Sequence, residues 1–251
     1  MITISTYKVT PYLAEGNRLP NPDINNGTEW LREAINAIYN RNKERLREAG
    51  VQTNLFHNHD EQKTDPITRY PLIQYQKRAG GYFAMGINDG SRALTELFID
   101  PKPGMPINDW LQIAVKKVED TAYETALHGN KITYTLTNWL PFNSENYKRY
   151  RQMSAVSEKI NFLEQMLLAH LLKDFVHFLK LEIDPALVQL SITDIDSFTR
   201  PCVQMRVNKH IHDFQPFTVS FSTNLLLPPH ICLGNGKVFG FGLTEPAPQP
   251  A

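Results

Sequence analysis

Between Ile2 and Thr125 the hydrophobic pattern switches between a two-residue and a 3.6-residue period, and the order of those switches restricts the fold more than any other feature of the chain. Ile2 to Val9 alternates like a strand, and a loop rich in Pro and Asn runs from Thr10 to Gly27. Thr28 stands in an N-cap position ahead of Trp30, Leu31, Ala34, Ile35, Ala37, Ile38 and Leu46. That spacing predicts one amphipathic helix of about twenty residues, stopped at Gly50. Thr68 to Lys77 and Tyr82 to Ile87 read as strands joined through Ala79-Gly80-Gly81, with Pro71 at an edge or a strand start. Asp89 to Phe98 reads as a short helix and Leu111 to Thr125 as a further strand. Strand, helix, strand, strand, helix, strand is the split pattern of a ferredoxin-like domain.

The remainder reads as a second α+β unit. His128-Gly129-Asn130 is turn-like and Lys131 to Asn138 alternates. A helix is expected from about Ser154 to Leu181, with Ile160, Leu163, Leu167, Leu171, Phe175 and Phe178 on its apolar face. Val188 to Ile195, Cys202 to Asn208 and Phe217 to Leu225 follow as strands, and Pro246 to Ala251 as a disordered tail. The fold expected is α+β, two tandem ferredoxin-like (RRM-like) domains, 1–127 and 128–251.

Charge limits the function classes. The 251 residues carry 26 Lys plus Arg and 26 Asp plus Glu, so indiscriminate binding to nucleic acid or to an anionic membrane is excluded and any anion must meet a local patch. Such a patch is Arg41 to Arg47, four basic residues against one acidic, which serves either as a solvated helix face or as a phosphate contact. Two cysteines, Cys202 and Cys232, are too few for a disulfide framework and lack zinc-knuckle spacing. No basic region followed by an apolar run opens the chain, and no segment approaches the ~18 uncharged apolar residues of a span. A cytoplasmic protein without a membrane partner is the expectation.

Three motifs carry chemistry. In Phe56-His57-Asn58-His59-Asp60 an extended backbone places His57 and His59 on one face, where two imidazoles can divide acid and base duties or supply half of a metal site. A solvated pair is the alternative. Cys232 to Gly242 holds Gly234, Gly236, Gly240 and Gly242 with Lys237 among them, suited to cradling phosphate or to close packing in a turn. It is not a nucleotide loop, because no Ser or Thr follows the lysine. His210 and His212 form a second His-x-His, read as an exposed strand end, and His170 and His177 are read as helix-surface or core-edge residues.

These landmarks resemble the CRISPR-associated endoribonucleases that cut repeat transcripts into guide RNAs, in their subtype b branch. The resemblance rests on Phe56 to Asp60, on Arg69-Tyr70-Pro71-Leu72-Ile73-Gln74-Tyr75, on Trp139-Leu140-Pro141-Phe142-Asn143 with Asn146, Tyr147 and Tyr150, and on the glycine-rich segment. It implies two ferredoxin-like domains and metal-independent cleavage at a repeat hairpin. The ribose 2'-hydroxyl would attack the adjacent phosphate, leaving a 2',3'-cyclic phosphate and a 5'-hydroxyl. His57 and His59 are then the acid/base pair, with Lys43 for charge stabilisation and Tyr70 for orienting the 2'-hydroxyl. Arg47, Gly234, Gly236, Lys237, Gly240 and Gly242 are the RNA-binding candidates.

No metal or other cofactor is implied. The partners are the repeat RNA hairpin, with other Cas proteins and a second copy of the chain as further candidates. The segment departs from the family pattern: Cys232 stands at its first glycine, Asn235 at its lysine, and Val238 and Phe239 at its Ser and Arg positions. A catalytically weakened or inactive repeat RNA-binding protein is therefore the alternative, ahead of a His-x-His metal hydrolase that lacks a third ligand at recognisable spacing.

Overall fold

The computed structural model describes residues 1–19, 23–56, 70–99, 104–196, 201–207 and 209–247. The chain divides into two units. The first comprises Met1–Tyr123 with Gln204–His210 and Val238–Gly240, and the second Glu124–Val203, Ile211–Lys237 and Phe241–Ala251. Both mix helices with antiparallel sheet in the ferredoxin-like manner.

In the first unit, β1 (Ile2–Leu13) is followed by helices α1 (Glu29–Arg41) and α2 (Lys43–Glu48). Then come β2 (Ile73–Arg78), β3 (Gly81–Ile87), α3 (Asp89–Leu97), the two-residue β4 (Met105–Pro106) and β5 (Leu111–Tyr123). The sheet order β2-β3-β1-β5-β4 puts the first strand between the third and the last long one, as the split βαββαβ pattern requires. α1 buries Trp30, Leu31, Ala34, Ile35, Ile38 and Tyr39, one stripe at helical spacing, against Tyr7, Val9, Ile73, Tyr75 and Ile113 of the sheet. Each of the larger side chains contributes roughly 1.5–3 kcal/mol through burial.

The single long helix expected from Thr28 to Gly50 is two helices. At Asn42 the backbone leaves helical geometry (φ −112°, ψ 9°), and its side-chain nitrogen donates back to the Ile38 carbonyl at 2.8 Å. An Asn that competes for a helix carbonyl in this way interrupts the ladder. The stop at Gly50 is as expected: φ is +72°, Gly50 N–H reaches Arg47 O and Val51 N–H reaches Leu46 O. Thr28 precedes the helix, but its hydroxyl donates to Asn25 O at 2.9 Å and Phe239 O at 3.1 Å instead of capping.

The second unit has β6 (Leu127–Trp139), α4 (Ser144–Gln152), α5 (Val156–Ala169) continued by a π-helical stretch His170–His177, and β7 (Leu190–Ile195). The chain then forms β8 (Val203–Val207) and β9 (His210–Phe214) before β10 (Phe217–Leu225) and β11 (Leu243–Pro246). The sheet order β11-β6-β10-β7 repeats the ferredoxin arrangement. The expected helical face is correct at Leu163, Leu167, Leu171 and Phe175, all fully buried. His128-Gly129-Asn130, expected as a turn, lies inside β6 at a register irregularity: β10 pairs with Ile132 and next with Leu127, and the register skips the residues between.

Between β10 and β11, where a ferredoxin-like domain has its second crossover helix, the described chain forms only the 3₁₀ turn Lys237–Phe239. Pro228, Pro229 and four glycines make this stretch a poor helix former.

Candidate functional site

His57 and His59 lie outside the described residues, as does Arg69. The structure fixes the two ends that flank them. Phe56 is buried in the first unit's core and stacks on Tyr39 with centroids 4.6 Å apart, and Tyr70 is 1% exposed.

From Tyr70 a line of polar side chains runs along one face of β2. The side-chain nitrogen of Gln74 donates to the Tyr70 hydroxyl oxygen at 2.9 Å, Gln76 donates to the Gln74 oxygen at 3.1 Å, and the Arg78 guanidinium donates to the Gln76 oxygen, through Nε at 2.6 Å and through Nη2. Arginine has donors only, so it dictates which end of Gln76 accepts, and each amide then dictates the next. The row therefore ends by donating to Tyr70. Gln74 and Gln76 are fully buried, where paired amides are tolerated and unpaired ones are costly. Ile73 and Tyr75, at the alternate positions, face the hydrophobic core.

Among the basic residues of α1 and α2, Arg41 donates to the Pro106 carbonyl and, at 2.6 Å, to that of Ile107, while Arg45 donates to the Glu96 carbonyl at 2.9 Å. Both therefore brace the fold. Lys43 is half-buried and Arg47 is exposed on α2. Asp120 on β5 accepts from Lys117 at 2.6 Å and from Ser5 at 2.7 Å, and these bonds hold its carboxyl below the usual range. Burial pushes the Tyr123 hydroxyl up to about 12, aided by its hydrogen bond to Glu119.

The glycine-rich segment is divided between the units: Gly234, Gly236, Lys237 and Gly242 belong to the second, and Val238–Gly240 to the first. In the second unit the N–H groups of Leu233, Asn235, Phe241 and Gly242 donate to Gly242, Leu140, Gly236 and Asn138 carbonyls, and the Asn235 side chain donates to Leu140 and Phe142 carbonyls at 3.1 Å. Gly234 (φ +87°) packs so tightly that a Cβ would stand 2.6 Å from Trp139 Nε1. In the first unit the Phe239 carbonyl accepts from Thr28, and a Cβ on Gly240 (φ +79°) would lie 2.9 Å from the Tyr75 carbonyl. Close packing thus accounts for these glycines. Lys237 is half-buried.

The second His-x-His is exposed on β9, as read from the sequence, and His170 accepts from Trp139 Nε1 at 3.2 Å at the edge of the second core. Sequence reasoning did not single out the Gln74-Gln76-Arg78 row, whose only signal was the strand-period alternation with Ile73 and Tyr75. Among the described residues, no helix is long and apolar enough to cross a membrane.

Two ferredoxin-like units in tandem, the second with a glycine-rich turn in place of its last crossover helix, define the structural class of the protein. Family models for the Cas6b N-terminal domain and the Cas6b C-terminal domain match residues 24–124 and 126–247, and the chain belongs to that family. A solved Cas6b structure superposes with a TM-score of 0.64 at 18% identity, covering 98% of this chain and 100% of the other. A Cas6b described as a CRISPR RNA processing endoribonuclease gives 0.56 at 15% identity with the same coverage. Csf5, a type IV Cas6 crRNA endonuclease, gives 0.52 at 15% identity, covering 98% of each chain. These likenesses concern the fold. No curated protein matches significantly.

Proposed function

We propose that this chain is a metal-independent endoribonuclease that cuts CRISPR repeat transcripts into guide RNAs. The observation that supports it most is the family match across both domains together with a His-x-His in the first. In this reading the N-terminal domain, 1–127, carries the reaction and the C-terminal domain, 128–251, carries the glycine-rich segment. One imidazole of the His57/His59 pair takes the proton of the ribose 2'-hydroxyl as its oxygen bonds to the phosphorus. The other imidazole donates a proton to the departing 5'-oxygen. A 2',3'-cyclic phosphate and a 5'-hydroxyl result, with no redox change and no added co-reactant.

Lys43 stabilises the phosphorane charge; Tyr70, expected to orient the 2'-hydroxyl, is buried with its hydroxyl bonded to Gln74, so in this reading it is a positioning residue. Arg47, Lys237 and the glycines Gly234, Gly236, Gly240 and Gly242 hold RNA backbone. The binding partner is the repeat hairpin, with other Cas proteins and a second copy as further partners, in the cytoplasm. Incubation of purified protein with its cognate repeat in EDTA tests the reaction: cleavage is expected, and intact RNA would contradict it.

A second reading, a repeat-binding protein that does not cut, is favoured by the segment itself. Asn235, Val238 and Phe239 replace its polar and basic positions, and its donors at 233, 235, 241 and 242 are engaged within the protein. Binding without cleavage, unaffected by His57→Ala and His59→Ala, would select it.

A further inference from the structure

The second unit contains a cavity of about 330 Å³ at the start of α4, near the lower end of the roughly 300–1,000 Å³ typical of small-molecule sites. Its walls include three aromatic rings. Phe142 is buried and held among Tyr150, Phe162 and Phe217 with centroids 4.8, 5.9 and 5.7 Å away, so it is a rigid surface. Tyr147, 6.1 Å from Phe142 between centroids, and Phe214 are half-buried. A flat apolar ligand fits between such walls.

The polar groups have fixed orientations. The Asn143 side-chain oxygen accepts from Asn146 N–H at 2.8 Å as the cap of α4, which directs its amide nitrogen outward as a donor. Gln215 donates its nitrogen to the Pro216 carbonyl at 3.2 Å, which sets the direction of its accepting oxygen. Asp213 adds a carboxylate. No lysine or arginine is among the described lining residues; besides the Cys202 thiol and the Tyr147 phenol its ionisable side chains are His212 and Asp213, and the carboxylate disfavours a phosphate. The chemistry suits a neutral planar group with N–H donors on its edge.

We propose that this cavity receives one unpaired nucleobase of the bound RNA, stacked against Tyr147 and Phe214 and held through an exocyclic amino group by Asp213. The inference rests on the proposed RNA function and extends it by a base-reading site remote in sequence from His57 and His59. Unpaired bases are recognised by aromatic stacking combined with hydrogen bonds to their edges, and a carboxylate selects amino-bearing bases over uracil.

The test is a coupling measurement on the full chain, with repeat RNAs carrying a single abasic site at each unpaired position. For the unsubstituted protein, one abasic site is expected to weaken binding about tenfold or more, the scale of a stacked base. Tyr147→Ala should weaken binding of intact RNA similarly and that of the abasic RNA hardly at all. Asp213→Asn, at an exposed position that tolerates substitution, should erase any preference for an amino-bearing base over uracil at that site. The exposed Cys202 thiol lines the cavity whereas Cys232 is buried, so the unsubstituted protein gives an independent readout: intact RNA should slow Cys202 alkylation severalfold and the abasic RNA should not. Repeat RNA that binds tightly with additive effects and an unprotected Cys202 would overturn this inference alone. Failure to bind any repeat RNA would overturn the proposed function, and this inference with it.

Discussion

Gln74 donates its side-chain amide to the hydroxyl oxygen of Tyr70 at 2.9 Å, the last step of a directed row that begins at the Arg78 guanidinium. Tyr70 follows in sequence the segment that holds His57 and His59, and this row fixes Tyr70 itself. Gln74→Leu removes the donor to Tyr70 and the acceptor for Gln76 together. A loss of about 1–3 kcal/mol of stability is expected in urea denaturation, the cost of stranding buried polar groups. A change within about 0.5 kcal/mol would show that the row does not brace the fold.

Tyr75, one residue on and on the opposite face of β2, is fully buried and its hydroxyl has no partner among the described residues. Burial raises its pKa from the ordinary 10.0. Since the folded value lies above the unfolded one, the neutral phenol's contribution is intact below pH 10 and is lost as pH rises beyond it. Tyr75→Phe should therefore gain about 1 kcal/mol at neutral pH by removing an unpaired buried hydroxyl. It should also flatten the alkaline decline in stability. Denaturation curves at pH 7 and above pH 10 check both, and an equal or lower stability at pH 7 would count against the unpaired state.

Gly242 and Gly80 have similar positive φ, +68° and +89°, but different surroundings. A Cβ on Gly242 would lie 1.9 Å from the Leu233 carbonyl oxygen, and one on Gly80 would meet nothing within 4 Å. Gly80→Ala should cost only the left-handed strain, roughly 1–2 kcal/mol. Gly242→Ala should cost more, because the backbone it strikes is held against Gly242 by the Leu233 N–H, which donates to the Gly242 carbonyl at 2.8 Å. Thermal melts of the two variants, with equal losses contradicting the packing role, distinguish them.

Arg47 is the exposed basic residue of α2 and is among those proposed to hold RNA backbone. Arg47→Ala should weaken repeat-RNA binding across all sequences and reduce the slope of log affinity against log salt by about 1. A titration at several salt concentrations measures this, and an unchanged slope would remove Arg47 from the interface.

The first unit was legible because its apolar residues keep strict periods: the stripe from Trp30 to Tyr39 and the alternation of β2 specify both element and face. What escaped depended on side chains acting across distance. The Asn42 bond back to Ile38 divides a helix that periodicity shows as continuous, and Thr28 spends its hydroxyl on Phe239, more than two hundred positions away, instead of on its own helix. The His128-Gly129-Asn130 stretch has turn residues, and the register with β10 skips it, so it forms an irregularity within β6 instead of a turn ahead of the strand. At the candidate site, the types in the glycine-rich segment were readable, while the use of its backbone donors within the protein was not, because that depends on Asn138, Leu140 and Trp139 folding against it.

In the proposed reaction His57 and His59 divide acid and base work in cutting repeat RNA without a metal. Single-turnover cleavage of the cognate repeat in excess EDTA tests it directly, comparing the unsubstituted protein with His57→Ala and His59→Ala and analysing the product ends. The expected result is cleavage to a 2',3'-cyclic phosphate and a 5'-hydroxyl, slowed at least tenfold by either substitution, within the range of general acid–base contributions. Cleavage that either stops in EDTA or proceeds unchanged in both variants would contradict it.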